Sequence, residues 1–283
     1  MSTSLPSSSP KTAQPPVPAA GQAAGGRVFP RVSSATWRGA SGIVGVFVLW
    51  ELLTRLLDVP AYVLPTVSSI LLATVQQYQT LALAAGTTFM EAVVGFCLGT
   101  LAGLLLAIVL TMLPRARKPV LPLVTALNSV PVVAYAPLIL LWFGIGPQSK
   151  IIMVSLSVGF TVFLHALAGL GNIDQRIVDL MRSFGSSSAA ILWRIRLPAA
   201  MPLTAAGMRV STVRAMIVAI VTEMLGAYHG LGWTIYQAVL QVDFVQVWSA
   251  IFVASAGSLL FFGAVSFVAV SYTHLRAHET GRN

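Results

Sequence analysis

The feature that most limits the fold of this chain is a long apolar run without a charged residue, Ala92–Leu113. It is about as long as the helix of ~20 residues that crosses the hydrocarbon core of a bilayer. Inside lipid, every backbone polar group must be satisfied within the protein, so such a run crosses the membrane as a helix. The chain is therefore predicted to be an all-α integral membrane protein.

The composition agrees with this prediction, since 56% of the 283 residues are hydrophobic and 9% are charged, whereas a soluble domain has about a quarter charged residues. The net charge of +9 would suit nucleic acid, but the basic residues lie in short segments between apolar runs, so no nucleic-acid partner is expected. Cys97 lies in an apolar run, and His274 and His278 have no further ligand cluster near them in the sequence. Neither a disulfide nor a metal site is therefore predicted.

Six apolar segments are predicted to span the membrane, which makes residues 42–270 one transmembrane domain. The spans are Gly42–Leu57, Ala92–Leu113, Pro119–Phe143, Ile151–Leu170, Ala205–Ala227 and Val245–Val270. With the amino terminus in the cytoplasm, about thirteen of the seventeen Lys and Arg residues lie on the inner side, as the positive-inside rule favours. Arg55 and Lys150 then lie on the outer side.

The segments outside the spans differ in composition. Residues 1–41 are rich in Ser, Pro, Ala and Gly and contain no acid, so they are predicted to be a disordered basic tail in the cytoplasm. Residues 58–79 include a short amphipathic piece expected at the outer interface, and Tyr228–Phe244 is predicted to be an outer loop. Residues 271–283 resemble translated sequencing-adapter DNA, and we expect this tail not to be native.

Two spans carry signals for contacts within and between helices. Gly95, Gly99 and Gly103 form overlapping small-xxx-small repeats, which let a neighbouring helix approach closely. Glu51 and Arg55 are four residues apart in the first span and are predicted to pair on one helix face.

The third span, Pro119–Phe143, is interrupted by three further prolines, one of which is Pro131. Prolines free backbone carbonyls, and such breaks are tolerated at membrane depth where protein or a water-filled cavity satisfies them. The span is therefore either a broken helix that lines a transport pathway, with Asn128 and Tyr135 as candidate pathway residues, or a merely kinked helix.

Four ionisable residues lie inside the later spans. His165 is either a proton relay or ligand, or a side chain hydrogen-bonded to a neighbouring helix. Arg209 and Arg214 are placed near the cytoplasmic start of the fifth span, where their charged ends can reach the interface. Glu223 lies near the far end of that span, where a carboxylate is unfavourable unless it is paired or wet, so it is a further candidate for the pathway.

A polar segment, residues 179–198 (DLMRSFGSSSAAILWRIRLP), separates two strongly apolar runs. It combines basic residues with apolar residues at helical spacing, which predicts a short amphipathic helix, a turn and a second short helix on the basic side of the membrane. Gly185 is expected to allow the turn, where a Cβ could clash. Pro198 is expected to stop the second helix and to set the entry into the fifth span.

Asp179, Gly185, Ile195, Leu197 and Pro198 follow a spacing that resembles the EAA loop of bacterial ABC importer permeases, E-A-A-x(3)-G-x(9)-I-x-L-P. The glycine, isoleucine, leucine and proline occupy the same positions as in the motif. The opening E-A-A is Asp-Leu-Met here, so only its acidic first residue is matched by a residue of the same type. The resemblance is therefore specific in the second half of the loop.

Two further segments resemble one branch of these permeases. Residues 137–150 (PLILLWFGIGPQSK) are similar to the P-L-x-x-x-W-F-G-x-G-x-x-x-K signature of the nitrate, sulfonate and taurine group. Residues 222–226 and 230–232 are similar to its E-M-x-G and G-L-G segments. Together the three resemblances cover about residues 40–270, nearly the whole predicted membrane domain.

The resemblance implies the fold of a type I ABC importer permease, which is MetI-like, with six transmembrane helices and a cytoplasmic coupling helix in the bacterial inner membrane. It implies as partners two copies of an ABC ATPase, an extracytoplasmic substrate-binding protein, a second permease copy and membrane lipid. ATP would be bound by the partner, and no cofactor by this chain. The implied ATPase-coupling residues are Asp179, Arg182, Gly185, Ser186, Ile195, Leu197 and Pro198.

The sequence contains no G-x-x-x-x-G-K-[ST], H-E-x-x-H or G-x-S-x-G motif, so the chain is not expected to be an enzyme or to hydrolyse ATP itself. The alternative is a stand-alone secondary transporter or channel, which would need paired inverted repeats with broken helices in both halves. An intramembrane enzyme lacks a constellation of residues, because Glu91, His165 and Glu223 lie on separate spans.

The solute stays open between a nitrate-, sulfonate- or taurine-like compound and a thiamine-pyrimidine precursor. Glu91 stands where many sulfonate-type members have Arg, which favours the pyrimidine-precursor branch slightly. Selectivity in these systems resides largely in the separate binding protein.

Overall fold

The structure, a computed structural model, describes the backbone of residues 34–280 and the side chains of residues 37–39 and 41–269. Contacts divide the chain into a unit that ends at Val46 and a second unit, Phe47–Asn283. The helices are α1 Ser34–Leu56, α2 Val67–Gln76, α3 Tyr78–Met112, α4 Pro114–Ser129, α5 Ala136–Phe143, α6 Pro147–Gly171, α7 Gln175–Ser183, α8 Ser188–Ile191, α9 Leu197–Leu225, α10 Leu231–Leu240 and α11 Phe244–Thr280. A 3₁₀ turn, Val132–Tyr135, precedes α5, and a π-helical turn, Leu192–Arg196, precedes α9.

Five helices of the described residues are long and apolar enough to cross a membrane, and a sixth span results if α4 and α5 form one bent span. The five are Trp37–Leu56, Tyr78–Met112, Pro147–Gly171, Ser188–Leu225 and Phe244–Ala269. Each of the six predicted segments thus corresponds to one of these helices or to the bent pair.

Three boundaries differ from the sequence prediction. α1 begins at Ser34 instead of Gly42, while residues 1–33 of the predicted tail lie outside the described residues. The predicted outer loop 228–244 contains the helix α10, which the sequence prediction did not include. The backbone of α11 continues past Val270 to Thr280, and the side chains of the 271–283 tail lie outside the described residues.

The largest apolar cluster of the second unit is shared by α3, α6 and α9. Its buried members are Ala92 and Phe96 on α3, Met153, Val154, Val158 and Val162 on α6, and Ala215, Met216, Val218 and Ala219 on α9, with Ala136 and Ile139 from α5. Many of these side chains are small, so the three helix backbones lie close together.

The glycine repeat of α3 packs directly on α6. A Cβ added at Gly99 would lie 2.5 Å from the carbonyl oxygen of Ser155, and one added at Gly103 would lie 2.5 Å from that of Gly159. The hydroxyl of Ser155 donates a 3.1 Å hydrogen bond to the carbonyl of Gly95. The predicted close approach of another helix is therefore confirmed, and that helix is α6.

The third span is broken rather than merely kinked. α4 and α5 differ in direction by 89°, and Pro131, which lacks an N–H to continue the helix, lies in the gap between them. Tyr135 packs against the α3–α6–α9 cluster, and its hydroxyl lies 3.4 Å from the carbonyl oxygen of Leu127. Asn128 is half-buried near the end of α4.

The end of α1 is tied to α2. Arg55 pairs with Glu51 at 2.6 Å, as the spacing predicts, and Glu51 also accepts hydrogen bonds from the backbone N–H and the hydroxyl of Ser68. On the other side of α2, the hydroxyl of Ser249 donates a 3.2 Å bond to the carbonyl of the buried Ile70. These contacts anchor the amphipathic piece that the sequence places at the outer interface.

Candidate functional site

The first half of the segment 179–198 is the end of α7. The carboxylate of Asp174 caps this helix by accepting a 2.9 Å bond from the N–H of Arg176. Asp179 and Arg182 are exposed and lie 3.7 Å apart, one helix turn from each other. An exposed pair at this distance contributes little to stability, so both groups are available to a partner.

Gly185 ends α7 with a C-terminal motif of two hydrogen bonds. Its N–H donates to the carbonyl of Arg182 at 2.8 Å, and the N–H of Ser186 donates to that of Met181 at 3.0 Å, the pattern of a Schellman cap. Gly185 has φ +75°, and a Cβ built there meets nothing within 4 Å. The expected Cβ clash was therefore wrong, and glycine is favoured by its left-handed backbone instead.

The second half of the segment continues into the membrane without a break. Ser187 caps α8 by accepting a 3.2 Å bond from the N–H of Ala190, and the π-helical turn 192–196 then leads directly into α9. The expectation that Pro198 stops a second short helix was wrong. Pro198 lies in the first turn of α9, where a missing N–H is tolerated, and the wider π turn precedes the proline ring.

Apolar side chains of this segment point away from the protein. Phe184 is 78% exposed and Trp193 is 67% exposed, with Ile177 and Leu180 also exposed, whereas Val178 is fully buried. Of the seven coupling residues that the resemblance implies, Asp179, Arg182 and Gly185 are exposed, and Ser186, Ile195, Leu197 and Pro198 are half-buried. An exposed apolar patch rimmed by charges is typical of a protein-binding surface.

At the opposite end of α9, Glu223 is fully buried in a hydrogen-bonded contact. Its carboxylate accepts bonds from the hydroxyl of Thr88 at 2.8 and 3.0 Å and from the N–H of Gly232 at 2.7 Å. The N–H of Leu231 donates to the Thr88 oxygen at 2.8 Å. Glu223 therefore joins α9 to α3 and to the start of α10.

Lys150 is also fully buried, at the start of α6, next to Glu91 and Glu223. Its ammonium group donates to the carbonyls of Ile145 and Gly226. The sequence placed Lys150 among the outer charges and Glu91 among the solute indicators, and both interpretations missed this cluster. The sequence did contain one indication that these two residues matter. Lys150 is the last residue of the signature at residues 137–150, and Glu223 is the first residue of the E-M-x-G segment.

The two arginines of the fifth span lie in the first two thirds of α9. α9 begins at Leu197, so Arg209 and Arg214 lie twelve and seventeen residues after its start. Arg214 donates a 2.7 Å bond to the hydroxyl of Thr161 on α6. His165, half-buried one turn away, bonds with Nδ1 to the carbonyl of Thr161 in its own helix at 2.8 Å, so the structure shows this bond within α6 and not to a neighbouring helix.

The candidate pathway residues are not brought together in one place. Asn128 and Tyr135 lie on either side of the break between α4 and α5, while Glu223 is buried at the far end of α9. Among the described residues, no group of three or more His, Cys, Asp and Glu side chains is arranged to hold a metal ion.

Comparison with known proteins places this chain in a family. Residues 99–277 match the family described as binding-protein-dependent transport system inner membrane component. A probable ABC transporter permease protein of Haemophilus influenzae is 31% identical over 80% of this chain and 93% of its own length. A formylaminopyrimidine transport permease protein of Halalkalibacterium halodurans is 29% identical over 78% of this chain and 88% of its own length.

Among solved structures, the MetNI methionine ABC transporter in an inward-facing conformation shares the fold. The two chains superpose with a TM-score of 0.56 at 17% identity, over 69% of this chain and 95% of the other. Taken with the match over residues 99–277, this shows that the chain belongs to the family of inner membrane components of binding-protein-dependent transport systems, the permeases of ABC importers.

Proposed function

We propose that this chain forms the translocation pathway for a small polar solute and that residues 179–198 couple it to a separate ATPase in the cytoplasm. The solute is of the nitrate, sulfonate, taurine or thiamine-pyrimidine-precursor type. The residues that meet the ATPase are those of the exposed coupling surface, namely Asp179, Arg182, Gly185 and Ser186 with Phe184 and Trp193 beside them, and Ile195, Leu197 and Pro198 connect this surface to α9.

The observation that carries the proposal is the continuity of the coupling segment with a membrane span. Residues Ser188–Leu225 form one helix of 38 residues, about 57 Å long at 1.5 Å per residue. A displacement of its cytoplasmic end is therefore transmitted to Glu223, near its other end. Movement of an ATPase on the inner side can in this way change the contacts at the outer ends of α3, α6 and α9.

The chemistry of the coupling surface supports a protein partner. Phe184 and Trp193 are large exposed aromatic side chains, which are enriched where interfaces gain their binding energy. The sequence has no phosphate-binding loop, so transport driven by ATP would take its ATPase from another subunit. The two further partners proposed are a second copy of this permease and an extracytoplasmic binding protein that delivers the solute.

The membrane topology belongs to the same proposal. With the amino terminus in the cytoplasm of a bacterial cell, residues 115–118 and 179–198 lie on the inner side of the inner membrane, and α2 and α10 lie on the outer side. The basic residues of these inner segments support this orientation.

Glu91 no longer helps to identify the solute. Its side chain is 3% exposed and lies beside Glu223 and Lys150, so its departure from the sulfonate-type pattern is explained by a local contact between helices. The proposed solute class therefore rests on the signature at residues 137–150 and on a groove on α9 that is lined by Arg209 and Arg214.

Co-purification with the ATPase encoded in the neighbouring reading frame tests the proposal. Gly185→Asp forces a side chain onto a residue with φ +75° in the coupling turn, and we expect loss of ATPase binding and of uptake while the protein stays in the membrane. Gly144→Asp is the strain control on the outer side, because Gly144 also has a positive φ (+76°) and open surroundings. Its ψ of −178° makes it the more strained position of the two, so retained ATPase binding by this variant would show that strain alone does not abolish binding.

The two variants separate strain from coupling. Equal loss of ATPase binding in both would show that backbone strain alone is responsible, and normal binding by the Gly185 variant would contradict the docking role. Solute uptake by the purified chain without any ATPase would instead support the stand-alone transporter.

A further inference from the structure

A groove of about 550 Å³ runs along the outward face of α9. It is lined by Ala206, Arg209, Val210, Val213, Arg214 and Phe262. Two of these side chains carry a permanent positive charge and four are apolar, so the groove presents cationic groups in otherwise hydrophobic surroundings.

Arg214, at one end of the groove, lies level with the middle of α6. Arg214 bonds to Thr161, which is fourteen residues after the start of α6 at Pro147 and ten before its end at Gly171, or about 21 Å and 15 Å along the helix. An arginine side chain at the level of Thr161 does not reach either end of α6, whereas Arg209 lies five residues, about 7.5 Å, nearer the start of α9. Arginine is unfavourable in lipid at the bilayer centre, so such residues face a water-filled cavity or a bound partner.

The described residues offer these arginines no carboxylate. The Nε of Arg209 is buried and has no hydrogen-bond partner among the described residues. On α9 the next carboxylate is Glu223, nine residues beyond Arg214 and about 14 Å away along the helix. On the inner side, the first carboxylate along the chain after α6 is Asp174, which caps α7.

A second copy of the chain does not supply one either. Two permeases related by an axis along the membrane normal place equivalent residues at equal depths. The described carboxylates of a partner copy would therefore also lie near the two membrane faces. The counter-charge for the groove must come from a molecule other than the permease.

We propose that Arg209 and Arg214 form a binding site for the anionic group of the transported solute. This rests on the proposed function in one respect, namely that the exposed face of α9 lines the pathway. The planar guanidinium group matches the oxygens of a sulfonate or carboxylate with paired hydrogen bonds. Val210, Val213 and Phe262 lie beside the charges and suit a short organic group.

The site selects within the solutes that the sequence leaves open. A sulfonate, a taurine-like compound or nitrate satisfies the two guanidinium groups, whereas an uncharged pyrimidine leaves them without a counter-charge. The structure therefore favours the anionic members of the proposed class.

A reporter cysteine at Val213 tests the site without requiring transport. Val213 is 42% exposed in the groove, and Cys97, the single native cysteine, is first replaced by serine. In membrane vesicles made permeable on both sides, Val213→Cys is treated with a methanethiosulfonate reagent that carries a sulfonate and with one that carries a trimethylammonium group. Each rate is first divided by the rate of the same reagent with a simple thiol in solution, because a thiolate reacts intrinsically faster with the cationic reagent. The ratio of the two normalised rates then measures the preference of the groove for an anion.

We expect the normalised rate of the sulfonate reagent to be about tenfold higher or more, as clefts lined by one sign of charge concentrate the opposite ion. Arg209→Gln with Arg214→Gln should abolish this preference, and Arg209→Lys with Arg214→Lys should keep it. Leu260→Cys is the control, since Leu260 is 74% exposed and lies two residues from Phe262 on the opposite side of α11. It should react slowly with both reagents.

Two results would overturn the anion site. One is a cysteine at 213 as unreactive as that at 260, which would mean that the groove faces lipid or is closed. The other is a preference for the sulfonate that persists in the double glutamine variant. A reactive, anion-preferring groove in a chain that fails to bind any ATPase would instead count against the coupling proposal and support the site.

Discussion

At the scale of single residues, Lys150 organises the end of the helix core at which α6 begins and α9 ends. Its ammonium group bonds to carbonyls before α6 and after α9 and lies next to Glu91 and Glu223. The sequence identifies Glu223 as a group that needs a partner, because a buried carboxylate is unfavourable alone. It does not reveal that partner, since Glu91, Lys150 and Glu223 come together only when α3, α6 and α9 pack.

Removing the Lys150 charge should destabilise the folded protein. In Lys150→Met, two buried carboxyl groups would remain without their cation, and breaking a buried charge cluster in this way costs about 3–5 kcal/mol of unfolding free energy. Thermal unfolding of the purified protein, followed by tryptophan fluorescence, should show a clear fall in Tm. Lys118→Met is the matched control, because Lys118 is exposed at the inner side; an equal Tm for both variants would contradict the role given to Lys150.

At the scale of helices, the contact of α3 with α6 is well specified by the sequence. Gly95, Gly99 and Gly103 recur every four residues and mark the α3 face that meets α6. The repeat could not identify α6 as the neighbouring helix, because small residues indicate only that another helix backbone packs closely against them.

A methyl group added to this contact should separate the two helices. In Gly99→Ala the new Cβ would lie 2.5 Å from the carbonyl oxygen of Ser155, and overpacking of this kind costs about 1–3 kcal/mol. Gly86→Ala on the same helix meets nothing within 4 Å and should be neutral or stabilising by about 1 kcal/mol, the helix propensity difference. A Tm of Gly99→Ala equal to or above that of Gly86→Ala would contradict this packing.

The coupling segment shows where local sequence rules fail. Pro198 predicts a helix end, but a proline is tolerated in the first turn of a helix, and the π turn at 192–196 leads the chain into α9. At Pro131 the sequence left a break and a kink open, and the structure shows a break, because there the residues on both sides leave the helix. A proline is present at both positions. Whether the helix breaks there or continues depends on the backbone conformation of the turn that precedes the proline.

Interrupting this continuity should uncouple transport from ATP hydrolysis. Two glycines inserted between Arg196 and Leu197 leave the coupling surface intact but make the connection to α9 flexible. In proteoliposomes we expect ATPase binding and hydrolysis to continue while solute uptake falls to background. The same insertion after Asn172, between α6 and α7 where the chain is already non-helical, is the control and should retain uptake; loss in both or in neither would contradict a rigid lever.

At the scale of the whole molecule, the sequence predicts the spans and the sides on which the charges lie. Hydropathy suffices for the spans, because the bilayer imposes a length on each helix separately, and the structure contains a helix or a bent pair for each of them. The sides stay a prediction from the clusters of Lys and Arg. The groove around Arg209 and Arg214 could not be predicted, since it depends on where α9 begins and on its contacts with α6 and α11. The proposed preference for an anionic solute belongs to this level of organisation, because it rests on that groove.

The central claim, that residues 179–198 receive work from an ATPase on the inner side, is tested most directly by the accessibility of Phe184, which is 78% exposed. The measurement is labelling of Phe184→Cys, in the Cys97→Ser background, by a membrane-impermeant thiol reagent added to intact cells or to inverted vesicles. The account predicts labelling in inverted vesicles stripped of the ATPase, protection when the ATPase is added back, and no labelling of intact cells. Labelling from outside the cell, or labelling of inverted vesicles that the ATPase does not prevent, would contradict it.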